Sequence, residues 1–497
     1  MLERPVGTIV LCVEHRAPGS EGGPTLRVCR AADGYELLRF DCFARGAHWH
    51  PDGGRRDEII VHPAERDALE WTLAELRRDL AGYVARAGGR LDATQDECER
   101  ALADVERALR NPPFDFEAVD VARKRTSLGE KWTKYGKEAL PLWVADMDFA
   151  VAEPIRRALQ RHVDASDLGY PVHPDPTDLP EIFAARAAEK YGWPVDPARV
   201  EVITDVMQGV YVGIQQLSEP GAGVVVQTPV YNPFFGAVRG TGRKLVTAPL
   251  AQGAARWEID LDVLRRAAGE ARVLLLSHPH NPTGRCFARP ELEAIAEIAL
   301  AHDLTVISDE IHADLLLAEE RFVPFASLAP EVAARTLTLN SASKAFHIAG
   351  LRCAVAVFGS DAIKRRFGGV PRHVRGGINI LGFEATRAAW LHGGPWLEAV
   401  VAHLRGNRDF VARTVAESLP GVVHHPPEAT YLAWLDCRAL GLEPSPFRFF
   451  LDRAGVALSD GATFGAPGEG FVRLNFATSR AIVSEALERM AKALAGR

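Results

Sequence analysis

A chain of 497 residues exceeds the size of one ordinary core, so two or three domains are expected. Its 47% hydrophobic and 25% charged content is that of a soluble globular protein, and a formal net charge of −7 argues against a nucleic-acid or anionic-membrane partner. No apolar run approaches the length of a membrane span. The start, MLERPVGTIVLCVEH, lacks a basic region followed by an apolar core and a cleavage site, so it does not read as a signal peptide. Seven cysteines without a CxxC pair suit reduced thiols in a cytoplasmic protein.

In chain order, the first segment runs to Asn111-Pro112-Pro113. Alternating runs at Thr8 to Val13 and Tyr35 to Phe43, separated by Gly/Pro/Asp-rich turns, predict short antiparallel strands. Leu69, Leu73, Leu76, Leu80 and Tyr83 recur at helical spacing and predict an amphipathic helix that Gly88-Gly89 ends. Thr94 with Glu97 three residues later is a capping box opening a second helix through Leu102, Val105 and Leu109. Residues 1–112 are thus read as a small α+β module, and they resemble no family by any motif. Within it stand Cys42 and Ala47-His48-Trp49-His50-Pro51-Asp52. His-x-His on a strand puts both rings on one face, so His48 and His50 form a weak candidate metal site with Cys42 or Asp52 as a further ligand. A polar turn with packing histidines is the competing reading, and no metal is assigned. The module is expected to add a second substrate-handling or docking function.

From about residue 114 the texture changes. Short apolar runs at Gly223 to Val226, Arg272 to Ser277, Leu304 to Ser308 and Thr336 to Leu339 alternate with helical patterns such as Pro290 to Ala301. Buried strands separated by helices predict an α/β fold, a mostly parallel sheet with helices on both faces, whose ligands sit at the carboxyl ends of the strands. Three polar clusters come directly after such runs: His280-Asn281-Pro282-Thr283-Gly284, Ser308-Asp309-Glu310-Ile311-His312 and Ser341-Ala342-Ser343-Lys344. An amide, a carboxylate and a lysine at strand ends can hold a cationic heteroaromatic aldehyde carrying a phosphate. The carboxylate pairs with the ring nitrogen and the amine condenses with the aldehyde.

These strings, in this order, resemble the fold-type I enzymes that use pyridoxal 5'-phosphate (PLP), over nearly the whole chain from residue 114. Leu140 to Phe149 (LPLWVADMDF), Ser308 to His312, Ala429 to Asp436 and Gly470 to Asn475 are most similar to the branch of cysteine-S-conjugate and cystathionine β-lyases. The resemblance implies a PLP-dependent transferase fold over 113–497, with a large domain over about 160–395 and a small one over about 114–155 plus 396–497. It implies a catalytic set of Lys344, Asp309 and Tyr231. Lys344 carries the cofactor and then acts as base at Cα, Asp309 keeps the pyridine nitrogen protonated, and Tyr231 stacks on the ring. Asn281 bonds the ring's 3-oxygen and His312 tunes the same region. Gly209 and Val210 at a helix start, with Ser341, Ser343 and Arg352, form a phosphate cup. Arg473 clamps the substrate α-carboxylate. Tyr170 reaches a neighbouring subunit's phosphate, which implies a homodimer. Without the resemblance, Arg473 reads as a strand residue facing solvent and Tyr231 as packing.

Two positions depart from the pattern. Lys344 is followed by Ala345-Phe346-His347 where relatives more often have asparagine third, and Arg352 is typical of aminotransferases. The expected activity is carbon–sulfur β-elimination from an S-substituted cysteine (a thioether such as cystathionine, or a sulfoxide or selenium conjugate) to thiol, pyruvate and ammonia. Transamination is the alternative, and a non-catalytic regulator or scaffold is a third reading that the presence of Lys344, Asp309 and Arg473 opposes.

Overall fold

The computed structural model describes residues 2–16, 23–42, 47–51, 60–61, 68–110, 114–170, 177–319, 321–375 and 377–497. Phe43, Asp52 and the Asn111-Pro112-Pro113 boundary lie outside the described residues. The chain forms two compact units, one built from Met1–Asp115 with Glu398–Ala402 and the other from Phe116–Leu397 with His403–Arg497.

In the first unit the alternating runs become an antiparallel meander. Its six strands are Leu2–Val6, Ile9–Arg16, Gly23–Arg30, Glu36–Asp41, His48–His50 and Ile60–Val61, paired in chain order. Alternation sends Ile9, Leu11 and Val13, then Leu26 and Val28, to one buried face. The helices Ala68–Arg86 and Gln95–Arg110 cover that face with Leu73, Leu76, Leu80, Leu102 and Val105. The capping box forms as expected: Thr94 N–H donates to Glu97 Oε2 (2.8 Å), and Glu97 N–H donates back to Thr94 Oγ1 (3.3 Å).

The second unit is organised by a seven-stranded sheet. Its strand order is Lys244–Thr247, Gly223–Val226, Val273–Ser277, Thr305–Asp309, Thr336–Asn340, Ala354–Phe358, Val200–Ile203. Only Ala354–Phe358 runs against its neighbours. Its central strands are buried on both faces, which is why they read as continuous apolar runs. The helix Val206–Leu217 packs into the core on one face, and Leu261–Ala268 with Arg289–Ala301 packs into that on the other. A second, antiparallel sheet pairs Val423–His424, Leu432–Asp436, Phe471–Asn475 and Ser459–Asp460. A short strand, Leu140–Pro141, pairs with Val456–Ala457 and leads directly into Trp143 to Asp148.

Candidate active site

The carboxyl ends of neighbouring strands carry the chemistry. Val273–Ser277 delivers Asn281, Thr305–Asp309 ends on Asp309, and Thr336–Asn340 delivers Ser341 to Lys344. Together with Tyr231, His312 and Arg352 these residues line one cleft of about 370 Å3. The Tyr231 N–H donates to the Asn281 carbonyl (3.0 Å), which ties the two loops together.

Burial dominates the electrostatics. Asp309 is buried and its carboxyl rises to about 7, because desolvation outweighs the Ile311 N–H it accepts (3.1 Å) and the nearby Lys344. No basic side chain forms a salt bridge with it among the described residues. Burial likewise lowers the Lys344 amine and brings His312 down to about 3, so the imidazole is neutral. His312 Nδ1 is buried and has no hydrogen-bond partner among the described residues. A buried acid without a cation, beside an amine of depressed basicity, is what a pyridinium aldehyde complements.

Arg473 is the opposite case. It lies in Phe471–Asn475, 5% exposed, and burial lowers its guanidinium to about 10. It donates from Nη1 to Asn281 Oδ1 (2.8 Å) and from Nη2 to the Trp143 carbonyl (2.9 Å) and Ser459 Oγ (3.1 Å). No carboxylate pairs with it among the described residues, and Nε has no partner there. Contrast Arg285, which is equally buried but bonded to both Glu291 and Glu428. A buried arginine lacking a protein anion awaits one from a ligand.

Sequence reasoning singled out the segment that joins these groups but gave it no structural role. Each carbonyl from Trp143 to Asp146 is taken by a side chain of the site or its wall. Arg473 and Ser459 hold Trp143, Asn475 holds Val144 and Asp146, and Tyr431 and Lys344 hold Ala145. Beneath it Lys131 Nζ donates to Asp148 Oδ2 (2.8 Å) and to the Asp146 carbonyl (2.9 Å), and Trp132 Nε1 donates to Asp148 Oδ1 (2.7 Å). The WVADMDF string stands out by resemblance alone; it acts through backbone carbonyls, which no residue type advertises.

The phosphate cup needs one correction. The helix starts at Val206 with Asp205 as its cap, so Gly209 and Val210 lie past its first amides. The Gly209 N–H already donates to the Asp205 carbonyl (3.1 Å), and a Cβ there would stand 2.6 Å from Leu339 Cδ2, so this glycine serves helix–sheet packing. Asp205, Val206 and Met207 line the cleft instead. Asp205 Oδ1 accepts from Gln208 N–H (2.8 Å), leaving the amides of Val206 and Met207 as the helix-end donors suited to an anion. The pair Asp205 and Gln208, cap and third residue, was the available signal. Ser341 donates to the Cys353 carbonyl (2.6 Å) and its oxygen holds the Ser343 N–H (3.0 Å), so Ser341 shapes the loop that presents Ser343. Arg352, held at φ +53°, is paired with Asp205 Oδ2. Tyr170 is fully exposed and does not line the cleft of its own chain.

In the first unit, His48, His50 and Asp41 do converge, with ligand atoms within 4.8 Å of one another. Arg39 sits among them, donating to Asp41 Oδ2 (3.0 Å) and to His50 Nε2 (2.7 Å). A guanidinium therefore occupies a lone pair of Asp41 and one of His50, two of the three residues that a metal ion would need. Cys42 is not part of the group: its thiol faces Thr72 Oγ1 (3.4 Å).

Comparison with known proteins agrees with this geometry. Residues 138–490 match the model of the family "Aminotransferase class I and II", and residues 4–109 match a domain of unknown function, DUF7700. The chain is 36% identical to the cystathionine beta-lyase PatB of Bacillus subtilis over 374 residues, covering 73% of this chain and 96% of that protein. It is 34% identical to the cystathionine beta-lyase of Corynebacterium glutamicum over 383 residues, covering 76% and 100%. The crystal structure of cystalysin from Treponema denticola, which contains a PLP cofactor, superposes with a TM-score of 0.73 at 29% identity, covering 77% of this chain and 99% of that one. With a PLP-fitting cleft at the strand ends and a family match spanning most of its length, the chain belongs to the aminotransferase class I and II family, in its PLP-dependent fold.

Proposed function

We propose that the protein is a PLP-dependent carbon–sulfur β-lyase that converts an S-substituted cysteine and water to a thiol, pyruvate and ammonia. The observation that carries the reading is a cleft lined by Lys344 and a buried acid without a cation, Asp309, together with a buried arginine without an anion, Arg473, that donates to Asn281 of the cleft wall. Relatives named cystathionine beta-lyase support the lyase over the aminotransferase reading.

When bound, PLP supplies an electron sink conjugated to the substrate's amino nitrogen, which acidifies the Cα–H. The protein's part is position and proton transfer. Arg473 takes the α-carboxylate and fixes which Cα bond faces the lysine. Lys344, its basicity lowered by burial, removes the Cα proton as general base. The Cβ–S bond then breaks with its electron pair on sulfur, the thiolate takes a proton, and hydrolysis of the remaining enamine yields pyruvate and ammonia. Asp309 would hold the positive charge of the ring nitrogen, and the neutral His312 would add none of its own.

Cystathionine and other S-substituted cysteines should give equimolar pyruvate and thiol with no added keto acid. Keto-acid release only in the presence of an amino-group acceptor would overturn the reading in favour of transamination. A homodimer is part of the same proposal, supported by the exposed Tyr170 ring. A cytoplasmic location is supported by seven cysteines that form no disulfide.

A further inference from the structure

The first unit holds a group of side chains that the lyase chemistry does not use. Strand pairing sets Asp41 opposite His48 and Arg39 opposite His50, with Phe40 opposite Trp49 between them. Alternation sends Phe40 and Trp49 to the apolar core and leaves the other four on the opposite face of the sheet. Among the described residues this is the one place where three potential ligand side chains, Asp41, His48 and His50, bring donor atoms within 4.8 Å of one another. We propose that Asp41, His48 and His50 form a zinc-type divalent metal site, and that Arg39 is the cation which the metal displaces.

The spacing is that of a coordination shell. Asp41 Oδ2 stands 3.4 Å from His48 Nε2 and 3.5 Å from His50 Nε2. Ligands about 2.0–2.1 Å from a tetrahedral zinc lie about 3.3–3.4 Å from one another, so two edges of the shell are already set. The third edge, between the two imidazoles, lies within 4.8 Å, and His48, 20% exposed, is the ligand that can turn to close it. A lone pair is also in place. A guanidinium only donates, so His50 Nε2, which takes a hydrogen bond from Arg39 Nη2 (2.7 Å), carries a lone pair rather than a proton. Asp41 is oriented through its other oxygen: Oδ1 accepts from Thr25 Oγ1 (2.8 Å), which turns Oδ2 towards the histidines. Two imidazoles and a carboxylate suit zinc better than calcium or magnesium, and three protein ligands leave a fourth position for water.

Arg39 has an alternative place to go. Its hold on the group consists of the bond from Nε to Asp41 Oδ2 (3.0 Å) and the bond from Nη2 to His50. Its remaining nitrogen, Nη1, lies 3.8 Å from Glu36 Oε1, too far for a hydrogen bond. That oxygen is buried and has no hydrogen-bond partner among the described residues. A guanidinium expelled by a metal ion therefore needs only a short movement to satisfy Glu36, and its charge stays neutralised there. Arg39 and the metal answer the same need, a positive charge against the buried Asp41, so each excludes the other.

The test is zinc binding by the untagged, PLP-loaded full chain after treatment with a chelator, read by competition with a chromogenic zinc indicator. The wild type should bind one zinc ion per chain, and His48→Ala and His50→Gln should each weaken binding by about 100-fold or more. Far-UV circular dichroism serves as the folding control. Arg39→Met keeps the aliphatic stem and removes the competing cation, so it should bind zinc about tenfold more tightly, a gain that misfolding does not mimic. Cobalt in place of zinc should give the visible bands of a four-coordinate ion in the wild type and lose them in His50→Gln. Absence of zinc binding by the wild type would overturn the proposal. So would equal binding by the wild type, His48→Ala and His50→Gln, which would put the ion elsewhere. Unchanged affinity in Arg39→Met would overturn the displacement of Arg39.

Discussion

Lys344 Nζ donates to the carbonyl of Ala145 at 2.6 Å, and the Tyr431 hydroxyl reaches the same oxygen at 3.0 Å. The reactive amine is thus indexed to a backbone atom lying 199 residues earlier, on the segment that also carries Arg473 through Trp143. Lys344 and Arg473, the proposed base and the proposed carboxylate clamp, take their separation from one short strap rather than from the sheet alone. Sub-ångström placement of this kind determines how much of the barrier orientation can remove.

Lys344→Ala should therefore abolish covalent retention of PLP while the fold persists. The check is visible absorption and cofactor trapping by borohydride, with far-UV circular dichroism as the folding control. Loss of the base should lower kcat by about 10^3-fold or more. A variant that still retained PLP after reduction and denaturation would exclude Lys344 as the anchor.

Asp309 yields a pH prediction for the PLP-free protein. Its folded carboxyl, at about 7, lies above the unfolded value near 3.8. The folded state therefore binds more protons between those values, and this group's contribution to stability is present below about 4 and lost as pH rises to 7. Full charging of the buried acid costs on the order of a few kcal/mol. Asp309→Asn should raise the melting temperature of the PLP-free protein at pH 8 and change it little at pH 4.5. The same substitution should weaken PLP binding, because the pyridinium loses its counterion. Equal effects at both pH values would contradict the assigned shift.

Asn281, Asp309 and Lys344 were legible because buried parallel strands announce themselves as apolar runs, and in such a sheet the residues just past each run sit at the ligand end. Gly209 was misplaced for the reverse reason. Helix boundaries depend on a cap, and Asp205 caps this helix four residues before the glycine that resembled a phosphate loop. Contacts such as Lys131 with Asp148, or Ala145 with Lys344, were out of reach because folding alone brings them together. His48 and His50 illustrate a further limit. Strand alternation put both rings on one face, yet the arrival of Arg39 from the paired strand is set by register, with Arg39 opposite His50.

The departure at His347 has a backbone explanation. Its φ is +56°, in the left-handed region where asparagine is favoured among non-glycine residues. Its ring also holds Asp146, Nδ1 to Oδ1 at 3.0 Å, pinning the strap to the lysine loop. His347→Asn should be tolerated within about 0.5 kcal/mol. His347→Val should lose about 2 kcal/mol or more from strain and the lost hydrogen bond, read from urea midpoints. Because His347 is a positioning residue, the valine variant should also shift the visible absorption of bound PLP, a change that lost stability alone would not produce.

Lys131 and Asp148 give the sharpest stability test. Both side chains are almost completely buried, at 3% and 1% exposure, and Asp148 is further held by Trp132. Taken together the three close a hydrogen-bonded set under the strap. Lys131→Met removes the cation and leaves a buried carboxylate with only the indole N–H as side-chain donor among the described residues, at a cost of about 3–5 kcal/mol. Adding Asp148→Leu removes that charge as well. The double variant should recover part of the loss, although Trp132 Nε1 is then unsatisfied and the Asp146 carbonyl still lacks its Lys131 donor. A double-mutant cycle by urea unfolding should show coupling of at least about 1 kcal/mol between the two positions. Additive losses would mean that Asp148 is held mainly by Trp132, and that the strap does not depend on the ion pair.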